Sequence, residues 1–315
     1  PTLLRRWRAV VAALPWILPA GLVAQAPAVS PVLAGRVNTI REQTVREHVA
    51  FLASDALLGR DTPSPGLERA AAYLVARYRE WGVSPAGEGQ GYLQRFSYQD
   101  GSVPNVLAMI PGRDPRLRNE YVVLSAHLDH VGVGIPVQRD SIYNGADDNA
   151  SGTAALLEVA RALASLPESD RPRRTVIFAH VSGEEKGLLG SAWWVDHPTV
   201  PIQNVVANVN VDMVGSDAHP DTVAALGGDF SSLGPLIRQV AGRLPELELT
   251  VSGDLWPQEG LFFRSDQFNF MRREIPALFV FNGLHECYHR PCDDIDFVST
   301  AFLCLGFQTF RLTFS

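Results

Sequence analysis

Histidines and carboxylates follow a series of apolar segments along this chain of 315 residues. In chain order they are His127 with Asp129, Asp147 with Asp148, Glu184 with Glu185, Asp212, His285 and His289. Mixed histidine and carboxylate ligands suit Zn²⁺ or a similar divalent ion, and two ions about 3.5 to 4 Å apart would share a carboxylate. The set therefore indicates metal-assisted chemistry, with enough groups to bind two ions and to supply a base.

Taken singly, each of these groups has an ordinary structural explanation. A lone histidine is more often a satisfied core residue than a ligand, and adjacent acids such as Glu184-Glu185 usually belong to a solvated turn. Here those acids directly follow the apolar run 176–179, and Asp212 follows Val209-Asn210-Val211. Carboxylates at the ends of buried strands need partners, so their joint occurrence is hard to explain as surface charge.

The elements that must position these groups alternate along the chain. Apolar runs predict strands at 92–98, 103–110, 122–126, 175–181, 204–211, 222–226 and 277–281. Helical spacing predicts helices at 44–52, 65–81, 150–165, 188–196 and 230–244. This alternation predicts a single α/β domain with a central mixed, mostly parallel sheet of about eight strands flanked by helices. Such sheets bind ligands at the carboxyl ends of their strands.

Composition narrows the classes of function. The hydrophobic fraction of 46% allows a large core, and the net charge of -7 becomes about -10 without residues 1–26, which disfavours a nucleic-acid partner. Lys186 is the sole lysine, so Schiff-base chemistry would depend on that one residue. A phosphate-binding glycine loop is absent, and Ser182-Gly183 lacks the elbow sequence of a serine hydrolase.

The first residues read as an export signal. Arg5-Arg6-Trp7-Arg8 precede an apolar run over 9–23, and Ala24-Gln25-Ala26 has the form of a cleavage site. Pro15 and Pro19 interrupt the run, which disfavours a membrane anchor. We therefore expect a signal peptide at 1–26, a linker at 27–40 and a catalytic domain at 41–315, in a periplasmic or secreted protein without stable membrane insertion after cleavage.

Several motifs together resemble the co-catalytic di-zinc aminopeptidase family, which includes bacterial leucyl aminopeptidases and the catalytic domain of glutamate carboxypeptidase and has glutaminyl cyclases as relatives. They are Ser125-Ala126-His127-Leu128-Asp129-His130, the segment 144–152, Ser182-Gly183-Glu184-Glu185 with Gly187 and Gly190-Ser191, Asn210-Val211-Asp212-Met213, Arg264-Ser265-Asp266-Gln267, and Tyr288-His289 with Asp293. Their order and spacing over residues 40 to 300 make the resemblance specific.

The resemblance implies a role for each matched residue. One zinc ion would be bound by His127 and Asp212, and a second by Glu185 and His289. Asp148 would bind both ions, and Asp147 would lie outside both sites. Asp129 resembles the residue that orients the ligand histidine. Glu184 resembles the general base, and Tyr288 resembles an oxyanion donor, although a packing aromatic is nearly as good an explanation.

The departures from the family pattern concern the surroundings of the site. About 22 residues separate Tyr98 from Tyr121, so no protease-associated domain is inserted there. Gln267 stands where many members have His, which affects the expected substrate pocket. Cys287 and Cys292 flank His289, and in an exported protein we expect them to form a disulfide. The chain ends where the resemblance implies a terminal helix, so we expect a domain that is truncated there.

The resemblance implies an exported aminopeptidase that removes N-terminal residues, preferably hydrophobic ones, from peptide substrates by metal-activated water. The acids Asp147, Glu184 and Asp266 could hold the substrate ammonium group, whereas Arg264 and Arg290 form no evident cluster for a terminal carboxylate. A carboxypeptidase or a glutaminyl cyclase of the same fold is the alternative. A receptor-like member without catalysis is disfavoured because the ligand set and Glu184 are all present.

Overall fold

The computed structural model describes residues 39–216, 219, 221–243 and 248–299. In these residues the helices and strands follow the alternation predicted from the sequence. The helices are α1 Glu42–Leu52, α2 Pro65–Glu80, α3 Gly152–Ala164, α4 Leu189–Asp196, α5 Leu233–Ala241 and α6 Gln267–Met271. The strands are β1 Ser84–Pro85, β2 Leu93–Tyr98, β3 Gly101–Ile110, β4 Tyr121–His127, β5 Gly132–Val137, β6 Asp140–Tyr143, β7 Thr175–Val181, β8 Val205–Val211, β9 Thr222–Leu226, β10 Thr250–Ser252 and β11 Ala277–Phe281.

Nine of these strands form one mixed sheet in the order β1-β3-β7-β4-β8-β11-β9-β10, with β2 paired to β3. The central strands β7, β4, β8 and β11 are parallel, whereas β3 runs antiparallel to β7 and β9 antiparallel to β11. The predicted α/β fold is confirmed, with parallel strands in the middle, antiparallel pairs of β3 at one side, and at the other an antiparallel β11–β9 pair followed by a parallel β9–β10 pair. β2 and β3 are joined by a tight turn, which requires antiparallel pairing.

The two faces of the sheet are covered by different helices. Leu124 and Phe178 point to the face covered by α1, α2 and α3, whereas their neighbours Val123 and Ile177 point to the face covered by α4 and α6. This alternation follows from the two-residue period of a strand. Burial on both faces explains why β4 and β7 read as continuous apolar runs rather than as alternating patterns.

Helix α2 begins where the sequence predicts. The Ser64 side chain accepts a hydrogen bond from the Leu67 N–H, and Pro65 occupies the first helical turn. The hairpin β5–β6 was not predicted, since its first strand contains Gly132, Gly134 and Pro136 and is mostly exposed.

The terminal predictions fall largely outside the described residues. The signal peptide at 1–26, nearly all of the linker at 27–40 and the terminal helix lie there. Between β3 and β4 the structure has only the connection 111–120. No helix in the described part of the chain has the length and apolar character needed to cross a bilayer.

Candidate active site

The candidate residues meet at the carboxyl edge of the central strands. His127 ends β4, Glu184 and Glu185 follow β7, and Asp212 follows β8. Because β4 pairs in parallel with β7 and β8, these ends lie side by side. Asp148 joins them from the segment before α3, and the peptide bond that follows it is cis.

A first group consists of His127, Asp148 and Asp212, all of them buried. The His127 Nε2 atom lies 3.1 Å from Asp148 Oδ1 and 3.2 Å from Asp212 Oδ1. The possible ligand atoms of the group lie within 4.8 Å of one another. This is the set that the resemblance assigns to one zinc ion.

A second group consists of Asp148, Glu185, His289 and His130. The His289 Nε2 atom lies 3.1 Å from Asp148 Oδ2 and 3.1 Å from Glu185 Oε2. Asp148 therefore belongs to both groups and turns a different oxygen to each. His130 was not predicted here, although it stands three residues after His127 in the same motif, and its Nδ1 lies 2.9 Å from Glu185 Oε1.

The chemistry of these side chains fits divalent cations. Asp148, Glu185 and Asp212 converge, and no lysine or arginine in the described ranges forms a salt bridge with any of them. Although burial opposes it, hydrogen bonds to Asp148 and Glu185 raise the pKa of His289 to about 10. The acids thus draw positive charge onto a histidine, which is what convergent carboxylates do when no cation offsets them.

Asp129 fixes the position of two candidate residues. The His127 Nδ1 atom lies 3.1 Å from the main-chain oxygen of Asp129 and 3.8 Å from its carboxylate. That carboxylate accepts hydrogen bonds from the Thr62 hydroxyl and from the main-chain N–H of Glu184. The Asp129 carboxylate therefore orients Glu184 by direct contact. It lies farther from His127, the residue that the resemblance implies it orients.

Glu184 and Tyr288 line one pocket together with the first group. Burial and the neighbouring charges of Asp212 and Asp266 raise the pKa of Glu184 well above its usual range, which makes its carboxylate a stronger base. Burial also raises the pKa of Tyr288, so its hydroxyl remains a hydrogen-bond donor at neutral pH. The remaining walls are mostly apolar, and they are formed by Met213, Leu261, Phe279, Phe281 and Leu284, with Arg264 and Ser265 beside them.

Two carboxylates expected in the pocket are not available to a substrate. Asp147 is fully buried, accepts a hydrogen bond from Gly215 N–H and lies 3.2 Å from His285 Nε2. Asp266 is also fully buried and accepts a hydrogen bond from Ser191. The expectation that they hold an ammonium group is therefore wrong, and Glu184 is the acid of that set that reaches the pocket.

Gln267 also has a structural position. Its amide donates a hydrogen bond to the main-chain oxygen of Phe262 and accepts one from Asn210, and the side chain is fully buried. Gln267 is not among the side chains that line the pocket. Cys287 and Cys292 form a disulfide, as predicted, and it encloses Tyr288 and His289 in a short loop.

Arg60 holds the loops of the site together and was not predicted from the sequence. Its guanidinium donates hydrogen bonds to the main-chain oxygens of Leu52, Leu128, Asn144 and Gly145. Burial lowers the pKa of Arg60 to about 10, which still leaves it charged at neutral pH. The contacts join the loop after β4 to the loop that carries Asp147 and Asp148.

Asp293 completes this support from the other side. Its two carboxylate oxygens accept hydrogen bonds from the main-chain N–H groups of Asp147 and Asp148. The only sequence signal for Asp293 was its place in the matched motif after His289. Together with Arg60 it fixes the main chain that presents Asp148 to both groups.

Known proteins resemble the chain in sequence and in fold. A probable zinc metalloprotease of Pyrenophora teres is 31% identical over 183 residues, which cover 56% of this chain and 36% of that protein. A probable glutamate carboxypeptidase of Zea mays is 35% identical over 144 residues, which cover 42% of this chain and 18% of that protein. The chain thus spans about two fifths or less of the length of these curated relatives.

Solved structures share the fold at low sequence identity. The zinc aminopeptidase BSAP from Bacillus subtilis matches with a TM-score of 0.67 and 16% identity, covering 87% of this chain and 94% of that chain. The glutaminyl cyclase of Porphyromonas gingivalis matches with a TM-score of 0.66 and 20% identity, covering 91% of this chain and 98% of that chain.

A family model gives the assignment. The model described as peptidase family M28 matches residues 105–305, which include both groups of candidate ligands, Glu184 and the disulfide loop. The chain therefore belongs to peptidase family M28.

Proposed function

We propose that the protein is an aminopeptidase that uses two zinc ions to remove hydrophobic N-terminal residues from peptides. The observation that carries this proposal is the position of Asp148, which contributes one oxygen to each of two groups of possible ligands. A carboxylate shared in this way is the arrangement by which proteins hold two ions close together.

The ligands come from several parts of the fold: His127 and Asp212 from the ends of β4 and β8, Glu185 from the segment after β7, and His289 from the disulfide loop. His127 and Asp212 would hold the first ion, Glu185 and His289 the second, and Asp148 both. When bound, such ions polarise a carbonyl oxygen and lower the pKa of water. The support from Arg60 and Asp293 would keep these side chains in place without large movement on binding.

Glu184 and Tyr288 would act on the substrate itself. Glu184 lines the pocket beside the first group, and its raised pKa suits a base that takes a proton from the attacking water and returns it to the leaving amine. The Tyr288 hydroxyl would donate a hydrogen bond to the scissile carbonyl oxygen as negative charge develops there.

The pocket favours a free N-terminus with an apolar side chain. An ammonium group is attracted to the carboxylates at the acidic end, among which Glu184 is accessible. The apolar walls formed by Leu261, Phe279 and Phe281 would receive the first side chain of the peptide.

The test compares leucyl-nitroanilide with its N-acetylated form, alongside metal analysis of the purified protein. We expect two zinc ions per chain and cleavage of the free amine only. Tyr288→Phe should lower kcat by about 10²-fold, as removal of one oxyanion donor does. Equal rates on the two substrates would contradict the assignment, and one ion or fewer in fully active protein would contradict the two-ion site.

Arg264 supports a second candidate. It lines the pocket, and an arginine there could bind the terminal carboxylate of a peptide, as a carboxypeptidase requires. Incubation with N-acetylated peptides separates the two, because a carboxypeptidase would release C-terminal residues from them. A glutaminyl cyclase of the same fold would instead release ammonia from peptides that begin with glutamine.

We also propose that the protein is exported to the periplasm or the medium. The segment 1–26 has the sequence of a signal peptide, and the bridge between Cys287 and Cys292 suits an oxidising compartment. Cell fractionation and N-terminal sequencing should find mature protein that begins at Pro27. Full-length protein in the cytoplasm with both thiols free would contradict export.

A further inference from the structure

We propose that His130 is a fourth protein ligand of the second metal site, so that this site is closed by side chains whereas the first keeps an open position. The inference rests on the two-ion function proposed above and makes the two sites unequal. The second would contain His130, Asp148, Glu185 and His289, and the first only His127, Asp148 and Asp212.

The position of the imidazole carries the argument. His130 is fully buried, and its Nδ1 lies 2.9 Å from Glu185 Oε1 and 3.7 Å from Asp148 Oδ2. Its ring meets that of His289 at an edge-to-face angle, with the ring centroids 5.5 Å apart. Three side chains that carry the proposed second site therefore surround it.

Despite these short distances, the imidazole of His130 makes no hydrogen bond of suitable geometry in the described part of the chain. Both of its ring nitrogens and Glu185 Oε1 are buried without a partner of suitable geometry. A buried polar group without a partner costs about 1 to 3 kcal/mol, so a satisfied arrangement is expected to include something more. A cation shared by the imidazole and the carboxylate would satisfy both.

The main chain leaves room for this ring. Gly145 has a φ of +63°, and a Cβ atom there would lie 2.5 Å from His130 Cγ. The same loop leads directly to Asp148 and is held by Arg60 through the Gly145 oxygen. A residue with a side chain at 145 would push the imidazole away from Glu185, so the loop is built around the position that His130 occupies.

The number of ligands gives the two sites different properties. Zinc sites with four protein ligands are typically structural, whereas sites with three keep a position for water or substrate. We infer that the second ion is bound more tightly and serves to hold Asp148 and Glu185. The first site, with three side chains, would keep a position for water or substrate.

The experiment measures ion binding and ligand type in the whole protein, loaded with Co²⁺ after chelation. We expect two binding steps and, in the one-ion form, two shifted imidazole N–H signals in the NMR spectrum, from His130 and His289. A single signal in that form would overturn the proposal. This measurement needs no variant, so it decides the role of His130 even where substitutions impair folding.

Variants separate a ligand from a hydrogen-bond donor. His130→Ala should weaken the tighter step by more than the roughly 10- to 100-fold that follows loss of a ligand's hydrogen-bond partner, and should change the cobalt absorption bands. His130→Gln keeps a donor toward Glu185 but lacks the ring nitrogen, so it should behave like the alanine variant. Restoration of tight binding and of the cobalt bands by glutamine would overturn the proposal.

A control and the ion count complete the design. His48→Gln changes another buried histidine, which contacts Tyr73 and Glu158 and belongs to neither group, and it should leave both binding steps unchanged. Failure of the wild-type protein to bind a second ion would refute the two-ion function itself. Two bound ions with only one histidine signal in the one-ion form would refute the role of His130 alone.

Discussion

Two clusters of buried charge in this protein differ in how their carboxylates are satisfied. Glu158 in α3 is fully buried, yet both of its oxygens have donors: Arg161 and His48 on one, Arg161 and the Thr44 hydroxyl on the other. The carboxylates around Asp148 instead face one another and a few histidines.

The pKa values show how the neighbours of each buried acid compensate for its burial. Although burial opposes it, hydrogen bonds from His48 and Arg161 lower the pKa of Glu158 to about 2. In the site, although burial opposes it, neighbouring histidines likewise lower the pKa of Glu185 to about 2, whereas burial raises the pKa of Asp266 to about 7 and that of Asp293 to about 6. Glu158 has Arg161 as its cation. In the described part of the chain Asp148, Glu185 and Asp212 pair with histidines and with no lysine or arginine, which is the electrostatic reason for assigning them to metal ions.

The largest expected contrast comes from the same substitution in both clusters. Glu184→Gln should retain the metal ions and the fold but lower turnover by about 10²- to 10⁴-fold, the contribution of a positioned general base. Glu158→Gln should leave turnover per folded molecule nearly unchanged. Steady-state kinetics with metal analysis of both variants is the measurement, and near-normal turnover of metal-loaded Glu184→Gln protein would exclude its role as the base.

Metal removal should lower the stability of the folded protein through the cluster around Asp148, and it should not affect the cluster around Glu158. An ion bound only by the folded state stabilises it by about 2.7 kcal/mol when its free concentration is 100 times Kd, so chelation should lower the free energy of unfolding by about that amount per ion. Asp148→Asn, which removes a charge shared by both sites, should bind little metal and respond little to the chelator. Thermal unfolding with and without chelator checks this, and equal responses of wild type and variant would contradict a shared ligand.

A smaller effect is expected from the paired cluster. Glu158→Gln removes charged hydrogen bonds to Arg161 and His48, which are each worth about 1.5 to 3 kcal/mol when buried, and Arg161 keeps part of its solvation. We expect a loss of roughly 2 kcal/mol in urea unfolding, with unchanged metal content. Loss of metal without loss of stability would reverse the distinction between the clusters.

The fold was largely predictable, because buried strands are long apolar runs that end at polar or turn residues. The bounds of β7, β9 and β11 match their predicted ranges for this reason. The exposed β5–β6 hairpin gives no such signal. The meeting of the predicted ligands was also predictable, since parallel strands bring their carboxyl ends to one edge.

The details of the site depend on contacts that no local pattern encodes. Arg60 donates hydrogen bonds to Leu128, Asn144 and Gly145, which lie 68 to 85 positions away in the chain. The residues next to Arg60 in the sequence give no indication of these contacts. Asp147 and Asp148 look alike in any local pattern, and only the family resemblance distinguished them; the loop turns Asp147 toward His285 and Asp148 toward the other ligands. The sequence likewise predicted that Asp266 could hold the substrate, but its side chain is fully buried and accepts a hydrogen bond from Ser191.

The last prediction concerns acid pH. Because the pKa of Glu158 is about 2 in the folded protein and near 4.5 when unfolded, its contribution is complete above about pH 4.5 and is lost as the pH falls toward 2. The stability difference between wild type and Glu158→Gln should therefore be full at pH 6 and clearly smaller at pH 3. Chelated samples are required for both proteins, since acid also releases metal ions. As a matched control, Glu68→Gln breaks the exposed pair with Arg95 and should change stability little at either pH. A difference that is equal at pH 6 and pH 3 would show that Glu158 acts through packing rather than through its charge.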